Sequence, residues 1–282
     1  MSAKGENSRI GAYFLLLWRE EITDAQWQRL VPLLPPLVGL GRPYLDHRPI
    51  VSGILWVLRT GAPWRDVPER FGKWTTIYSR FCRWTARGIW QGVWAELQRL
   101  ADLRGQLDWS VHFVDGTVVR AHQCAAGARG GQDSEALGRS RGGFSTKIHL
   151  RAEGQGKLMA FVLSSGERHE SKYLPPLLET GAVNRPGRGR PRLRPVRVVG
   201  DKGYSYTTVR RYLHTRGIRV TIPRRKDQGP DIAFDPAVYR ERNKVERLVN
   251  RFKGFRRIAT RYDKRALNYQ GWWVLAAILL WL

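Results

Sequence analysis

Cysteine, acidic side chains and long apolar runs are the scarce features of this 282-residue chain. Two cysteines, Cys82 and Cys124, cannot build a disulfide framework or a zinc site, and such usage fits a reducing compartment. The apolar stretches Tyr13–Trp18 and Trp272–Leu282 span six and eleven residues, short of the ~20 that a membrane-spanning helix needs. No small-residue cleavage site follows the first of them. Both read as core-facing segments, and the expected location is the cytoplasm. Apolar residues still make up 42% of the chain, enough for a packed core and too many for a disordered polymer.

The shortage of acids has a direction. Against 24 Asp and Glu stand 49 Lys and Arg, a formal net charge of +25. So large an excess repels itself in a compact state and calls for a polyanion. Nucleic acid is the default partner, because neutralising phosphates releases counterions; an anionic membrane surface is the rival. The excess is uneven: residues 1–109 carry 15 basic and 10 acidic side chains, residues 110–282 carry 34 and 14. Between 185 and 226 there are 14 basic residues and a single acid, Asp201. A charge run is usually a solvated face, but a lone acid inside one needs a reason.

No internal repeat is visible, and the natural seam falls near Ala101–Asp108. This divides the chain into an extension (1–20), a helical Trp-rich unit (21–105) and a β-rich unit (106–282). In the helical unit, Thr23 and Asp24 suit a helix start. After a proline-rich stretch from Pro32 to Pro43, the spacing of Ile50, Val51, Ile54, Leu55 and Leu58 predicts a helix over Pro49–Arg59 that ends at Gly61-Ala62-Pro63. A short helix around Asp66–Phe71 and a third over Thr75–Thr85 complete the outline of a helix-turn-helix. Arg80 and Arg83 on the third helix are the candidates for contacts with base edges or phosphates. A plain helical bundle accounts for the same pattern, since Trp56, Trp64, Trp74 and Trp84 are core-type side chains.

Past the seam, Val111–Val119 reads as a strand with Asp115 in its middle. Residues 121–143 hold six glycines and read as a flexible hairpin loop. Strands follow at Thr146–Ala152 and Lys157–Ser164, then a helix at Ser171–Glu179, a strand at Val196–Val199 with Asp201 at its exit, a helix at Thr207–Arg216, a strand at Ile218–Ile222, and a long helix over Pro236–Ile258. Three consecutive strands, then helix, strand, helix, strand, helix is the order of a ribonuclease H-like fold. The expected architecture is α/β: a ribonuclease H-like catalytic unit with a mixed five-stranded sheet, preceded by an all-α helix-turn-helix unit.

An acid inside an apolar strand is costly unless it is paired or metal-bound, which is the position of Asp115. Taken alone, Asp115 or Asp201 reads as a turn or capping residue. The long helix adds a third acid. At ~100° per residue, Tyr239, Arg242, Glu246 and Lys253 share one face, while Val245, Leu248, Val249, Phe252 and Phe255 form an apolar face beside it. An Arg242–Glu246 ion pair on a solvated stripe would also satisfy this pattern, stabilising the helix by a few tenths of a kcal/mol. Phosphodiester chemistry needs an activated oxygen nucleophile and a stabilised leaving oxygen. Two Mg²⁺ ions held by about three acids in a basic, DNA-holding surface supply both.

Tyr239, two residues, Arg242, three residues, Glu246, six residues, Lys253 matches in identity and spacing the signature of insertion-sequence transposases with an Asp-Asp-Glu site. Asp115-Gly116-Thr117 and Gly200-Asp201-Lys202-Gly203-Tyr204 resemble that family's first and second acidic motifs. The front half, from Ile22-Thr23-Asp24-Ala25-Gln26-Trp27 through Gly61-Ala62-Pro63-Trp64-Arg65-Asp66-Val67-Pro68, looks like the N-terminal domain of the fifth numbered family of bacterial insertion sequences. The resemblance spans about Ile22 to Lys264; residues 1–20 have no counterpart in it. It implies a DNA transposase in which Asp115, Asp201 and Glu246 are catalytic and hold two Mg²⁺ or Mn²⁺ ions. Tyr239, Arg242, Lys253, Lys202, Arg224 and Arg225 would meet DNA phosphates. The implied partners are double-stranded terminal inverted repeats and target DNA, with a homo-oligomer assembled on them; no membrane and no small-molecule substrate is implied. The implied setting is the bacterial cytoplasm, at the nucleoid. His149 and His169 are polar enough for catalysis, but a structural or DNA-facing role fits better, because this chemistry needs no histidine base.

Two rivals remain open at this level. One is a transposase-derived DNA-binding protein that has lost catalysis; the other is a nuclease or resolvase on the same fold that cuts without joining.

Overall fold

The structure is a computed structural model and describes residues 21–37, 46–129, 131–229 and 234–282. The extension 1–20, and part of the proline-rich stretch, lie outside the described residues.

Local chemistry sets the first helices. Thr23 caps α1 (Asp24–Leu30) through a reciprocal box with Gln26. Asp46 caps α2 (His47–Thr60) by accepting from the Arg48 amide, and Gly61, at φ +69°, ends it with its N–H bonded to Val57 O at 2.9 Å. The expected middle helix is instead two 3₁₀ turns, Trp64–Asp66 and Glu69–Phe71. Pro68 lies between them and has no N–H with which to continue a helical ladder. Then come α3 (Trp74–Ala86) and α4 (Ile89–Leu103).

The sheet is built from β1 (Val111–Arg120), β2 (Gly138–Ser140), β3 (Gly143–Ala152), β4 (Leu158–Ser165), β5 (Arg197–Val199) and β6 (Arg219–Thr221). β1 runs antiparallel to β3, and β3 antiparallel to β4; on the other side β1 is parallel to β5, and β5 to β6. The molecule is therefore mixed α/β with a six-stranded mixed sheet. The sequence suggested five strands. The sixth, β2, lies in what reads as a flexible loop: Arg141 and Gly142 turn the chain so that Gly138–Ser140 pairs with Gly143–Ser145, with Gly143 at φ +93°. The glycine content that suggests mobility is what permits this tight turn.

Helix α5 (Leu174–Glu179), preceded by a 3₁₀ turn at Glu170–Tyr173, links β4 to β5, and α6 (Thr207–His214) links β5 to β6. The long C-terminal helix expected over Pro236–Ile258 is three pieces: α7 (Pro236–Arg240), α8 (Asn243–Lys253) and α9 (Arg256–Ala259). At the first break the amides of Glu241, Arg242, Lys244 and Val245 all bond three residues back, which winds the chain more tightly than an α-helix does. Two tethers flank this break. Asp235 caps α7 and pairs with Arg197 of β5 at 2.9 Å, and Lys244 reaches Gly154 O, at the β3–β4 turn, at 2.9 Å.

Helix α10 (Ala266–Trp281) closes the fold. Trp272 stacks on Phe81 of α3 with centroids 4.2 Å apart, and Trp273 stacks on Phe252 of α8 at 4.8 Å. One buried cluster thus runs from Ile50 and Ile54 of α2 through α10 to Phe113, Ile148 and Leu150 of the sheet, across the seam where helix gives way to strand. A second, smaller cluster on the opposite face joins Val114 and Val198 to Leu174, Leu177, Tyr204 and Leu213. Among the described residues no helix is long and apolar enough to cross a membrane.

Trp272 is fully buried, and its indole N–H donates to Asp263 Oδ2 at 3.1 Å. Trp272→Ala is expected to cost about 3–5 kcal/mol, read by urea unfolding at fixed pH. The loss should fall in a single cooperative transition; separate transitions for the front helices and the sheet would contradict a shared core.

Candidate active site

Each acid reaches the site through a different element. Asp115 lies in β1 two residues beyond Phe113, where β1 stops pairing with β5, and its carboxylate accepts from the Gly116 amide at 2.9 Å. Asp201 follows Gly200 at the end of β5 and caps the 3₁₀ turn Lys202–Tyr204 by accepting from the Gly203 amide at 2.9 Å. The first two acids thus each lie two residues beyond the last pair of the parallel β1–β5 ladder, Phe113 with Val199, close to the usual place for a site in an open α/β sheet. Glu246 is in the first turn of α8, whose buried side chains are Val245, Leu248, Val249 and Phe252. That apolar face packs against β1 and β3 and leaves Glu246 exposed beside it.

One guanidinium joins the first acid to the third. Arg242 lies 3.5 Å from Asp115 Oδ2 through Nη1 and bonds Glu246 Oε1 through Nη2. It also lies 6.0 Å from the centre of the Tyr239 ring. Lys253 is exposed at the far end of α8. Lys202 is exposed next to Asp201. Arg225 sits 4.0 Å over the ring of Tyr206, and Arg224 donates to Gln228 O at 3.0 Å. Gln228 in turn donates to Ser205 O at 2.8 Å, so the basic turn is tied to the loop that carries Asp201.

Arg80 is a correction. It is buried, its Nη1 is 2.8 Å from His47 Nδ1 and its guanidinium lies over Trp84, so it does not face a groove. Arg83 on the same helix is exposed. His149 is buried against Ser164 Oγ at 2.9 Å and stacked 4.4 Å from Tyr173; burial pushes it down to about 3, so it stays neutral. His169 caps the 3₁₀ turn Glu170–Tyr173 and meets Tyr206 Oη at 3.1 Å.

The sequence reading missed Glu170. A Cβ added at Gly116 would come 2.7 Å from Glu170 Oε1, and one at Gly203 would come 2.9 Å from Glu170 Oε2. Its carboxylate therefore sits between the segments that carry Asp115 and Asp201. The only clue in the sequence was indirect: glycine follows each of those acids by one or two residues, leaving room for a neighbour.

Burial pushes the Asp115 carboxyl up to about 6, and the charges of Asp201 and Glu170 add to the rise while the Gly116 amide and Arg242 oppose it. Among the described residues no three acids, histidines or cysteines already converge to hold a metal ion. The donor set nevertheless suits a hard divalent cation: carboxylate oxygens only, close enough to disfavour one another's ionisation, with a guanidinium standing between two of them. In the ion-free protein the raised Asp115 carboxyl stabilises the fold when protonated. That stability is fully present below about pH 4 and is lost as pH rises through about 6, on the order of 3 kcal/mol. Thermal melts should show this loss in the wild type, and Asp115→Asn should flatten it; an equal loss in the variant would contradict the assignment.

With this geometry in hand, comparison with known proteins places the chain. The family described as "Putative transposase of IS4/5 family" matches residues 22–94, and the family described as "Transposase DDE domain" matches residues 110–281. An uncharacterised 16.2 kDa protein of insertion element IS402 from Burkholderia cepacia is 38% identical over 120 residues, covering 39% of this chain and 79% of the relative. The putative transposase of IS402 from the same organism is 30% identical over 121 residues, 43% of this chain and 55% of the relative. An uncharacterised protein of Sinorhizobium fredii, y4sN, is 38% identical over 109 residues, 38% of this chain and 82% of the relative. Solved transposase structures align at 12% identity with low TM-scores and add no argument: 0.37 for the piggyBac synaptic complex with hairpin DNA (76% of this chain, 51% of that one), and 0.26 for the Mos1 mariner paired-end complex with Mn (92% and 84%). The second family match covers well over half of the sequence, and the chain belongs to the DDE transposases of bacterial insertion sequences.

Proposed function

We propose that this DNA transposase cuts the ends of its element and joins them to target DNA at a site made of Asp115, Asp201 and Glu246. The observation that carries this reading is the bridge of Arg242 between Asp115 and Glu246. It ties the helix acid to the strand acid, beside the strand that delivers Asp201. Three antiparallel strands continued by two parallel ones support a ribonuclease H-like frame for residues 106–282. Residues 21–105 would grip the terminal inverted repeats. In a helix-turn-helix reading, Arg83 is the base- or phosphate-facing group of the third helix, and the buried Arg80 positions His47.

Asp115, Asp201 and Glu246 would hold two divalent cations, Mg²⁺ or Mn²⁺, which when bound activate the attacking oxygen and stabilise the leaving one. The chain's own part is positioning and charge neutralisation. Arg242 neutralises Asp115 and Glu246 in the ion-free protein and is free to turn to a DNA phosphate once that charge is met by other means. Tyr239 supports the Arg242 guanidinium with its ring. Lys253 and Lys202 flank the acids as phosphate contacts, and Arg224 and Arg225 extend the basic surface beyond Asp201. Joining two ends calls for two sites, so a dimer or larger assembly on DNA, in the bacterial cytoplasm and at the nucleoid, is the working form.

A strand-transfer assay tests the reading. A labelled end from the gene's flank is mixed with plasmid target, Mg²⁺ and either wild type or Glu246→Gln. The variant is expected to bind the end within about twofold of wild type while cutting and joining fall at least about a thousandfold. Joining by the variant would remove Glu246 from the site; metal-dependent cutting without joining by the wild type would indicate a nuclease. End binding should also weaken by about a thousandfold or more between 50 and 200 mM salt, as expected for six or more phosphate contacts. A flat salt response would contradict the basic surface.

A further inference from the structure

Glu170 has no role in the Asp-Asp-Glu reading, yet its carboxylate lies against that site's own glycines. Its two carboxylate oxygens divide between the site's two strand segments: Oε1 lies 2.7 Å from where a Gly116 Cβ would be, and Oε2 2.9 Å from where a Gly203 Cβ would be. Asp201 Oδ1 lies 2.9 Å from that same Gly203 position, so the Glu170 and Asp201 oxygens are within about 6 Å of each other. A methyl group at either place would push this carboxylate aside.

The placement is held from outside the site. His169 accepts from the Ser171 amide and Oγ, fixing the turn in which Glu170 sits, and its other ring nitrogen meets Tyr206 Oη at 3.1 Å. Tyr206 belongs to the loop that follows Asp201, so Glu170 and Asp201 are braced against each other. The cation facing Glu170 is Lys147, 3.5 Å from Oε1. Two cationic side chains, Lys147 and Arg242, thus pair with three carboxylates, those of Asp115, Glu170 and Glu246, beside Asp201.

A second feature lies beside these acids, in the smaller core cluster. Tyr204 is completely buried, and its hydroxyl has no hydrogen-bond partner. Burial first, then the charges of Glu170, Asp115 and Asp201, push this phenol well above its ordinary value, so it keeps its proton. A buried donor without an acceptor is costly in a closed core. It is accounted for if a further oxygen-bearing species, such as a hydrated cation, completes the cleft.

We propose that Glu170 is a fourth carboxylate of the divalent-cation site, reaching it from the turn after β4 beside Asp115 and Asp201. This rests on the reading of Asp115, Asp201 and Glu246 as the cation-holding acids. A fourth acid, paired with Lys147 at 3.5 Å, lets the site offer an extra carboxylate beside Gly116 and Gly203.

Mn²⁺ binding to the full chain, followed by the electron paramagnetic resonance signal of the free ion, separates the outcomes. Wild type, Asp115→Asn, Glu170→Gln and Lys147→Met are compared, with thermal melts to show that each is folded. Glu170→Gln should lose a bound ion or weaken binding by at least about tenfold, as Asp115→Asn does, whereas Lys147→Met should bind as well as wild type or better. Wild-type binding by Glu170→Gln, with loss by Asp115→Asn, would overturn the role of Glu170 alone. Wild-type binding by both variants, or no binding by any protein, would overturn the cation site itself, and this proposal with it. A measurement on the unmodified chain stands beside these. Fe²⁺ bound in the cleft, with ascorbate and peroxide, should cut the backbone near residues 115, 201 and 170; cuts near 115 and 201 but not 170 would also overturn it.

Discussion

Like charges held close in a partly buried cleft repel one another, and much of this structure is arranged to hold them there. Asp115 lies among apolar strand residues, Asp201 at the neighbouring strand end, Glu170 between their glycines and Glu246 on the helix that packs across β1. Burial alone raises the Asp115 carboxyl, and the neighbouring acids raise it further. The chain meets this cost with Arg242 and Lys147, and with tethers set back from the site: Asp235 to Arg197, Lys244 to Gly154, His169 to Tyr206. A cleft strained in this way favours a cation, and its ion-free form is stabilised by a proton.

Holding that cleft depends on a core that does not respect the change from helix to strand. The C-terminal helix inserts Trp272 among the front helices and Trp273 against α8. Glu246 is carried by the same α8 that Trp273 braces, so the front helices and the acid helix are linked through adjacent residues of one buried element. The front helices and the region that carries the acids are thereby packed on a common support.

Much of this was legible in the sequence. The apolar strand around Asp115, the short strand before Asp201 and the apolar face of α8 are each set by local pattern, and the structure forms all three there. Other features depend on distant contacts. The break at Glu241–Arg242 lies between tethers to β5 and to the β3–β4 turn, which no helical periodicity reveals. Arg80 looks like a surface residue until His47, 33 positions earlier, folds against it. β2 hides in a glycine-rich stretch because its pairing comes from a tight turn and not from β-forming residues. Glu170 was passed over because its significance lies in two glycines far from it in the chain.

The most direct measurement is anomalous scattering from Mn²⁺ in crystals of the protein bound to a DNA end. The expected result is manganese between the Asp115 and Asp201 carboxylates, with Glu246 beside it and Arg242 turned from Asp115 to a DNA phosphate. Manganese bound elsewhere, or Arg242 still bridging Asp115 and Glu246 with DNA in place, would contradict it.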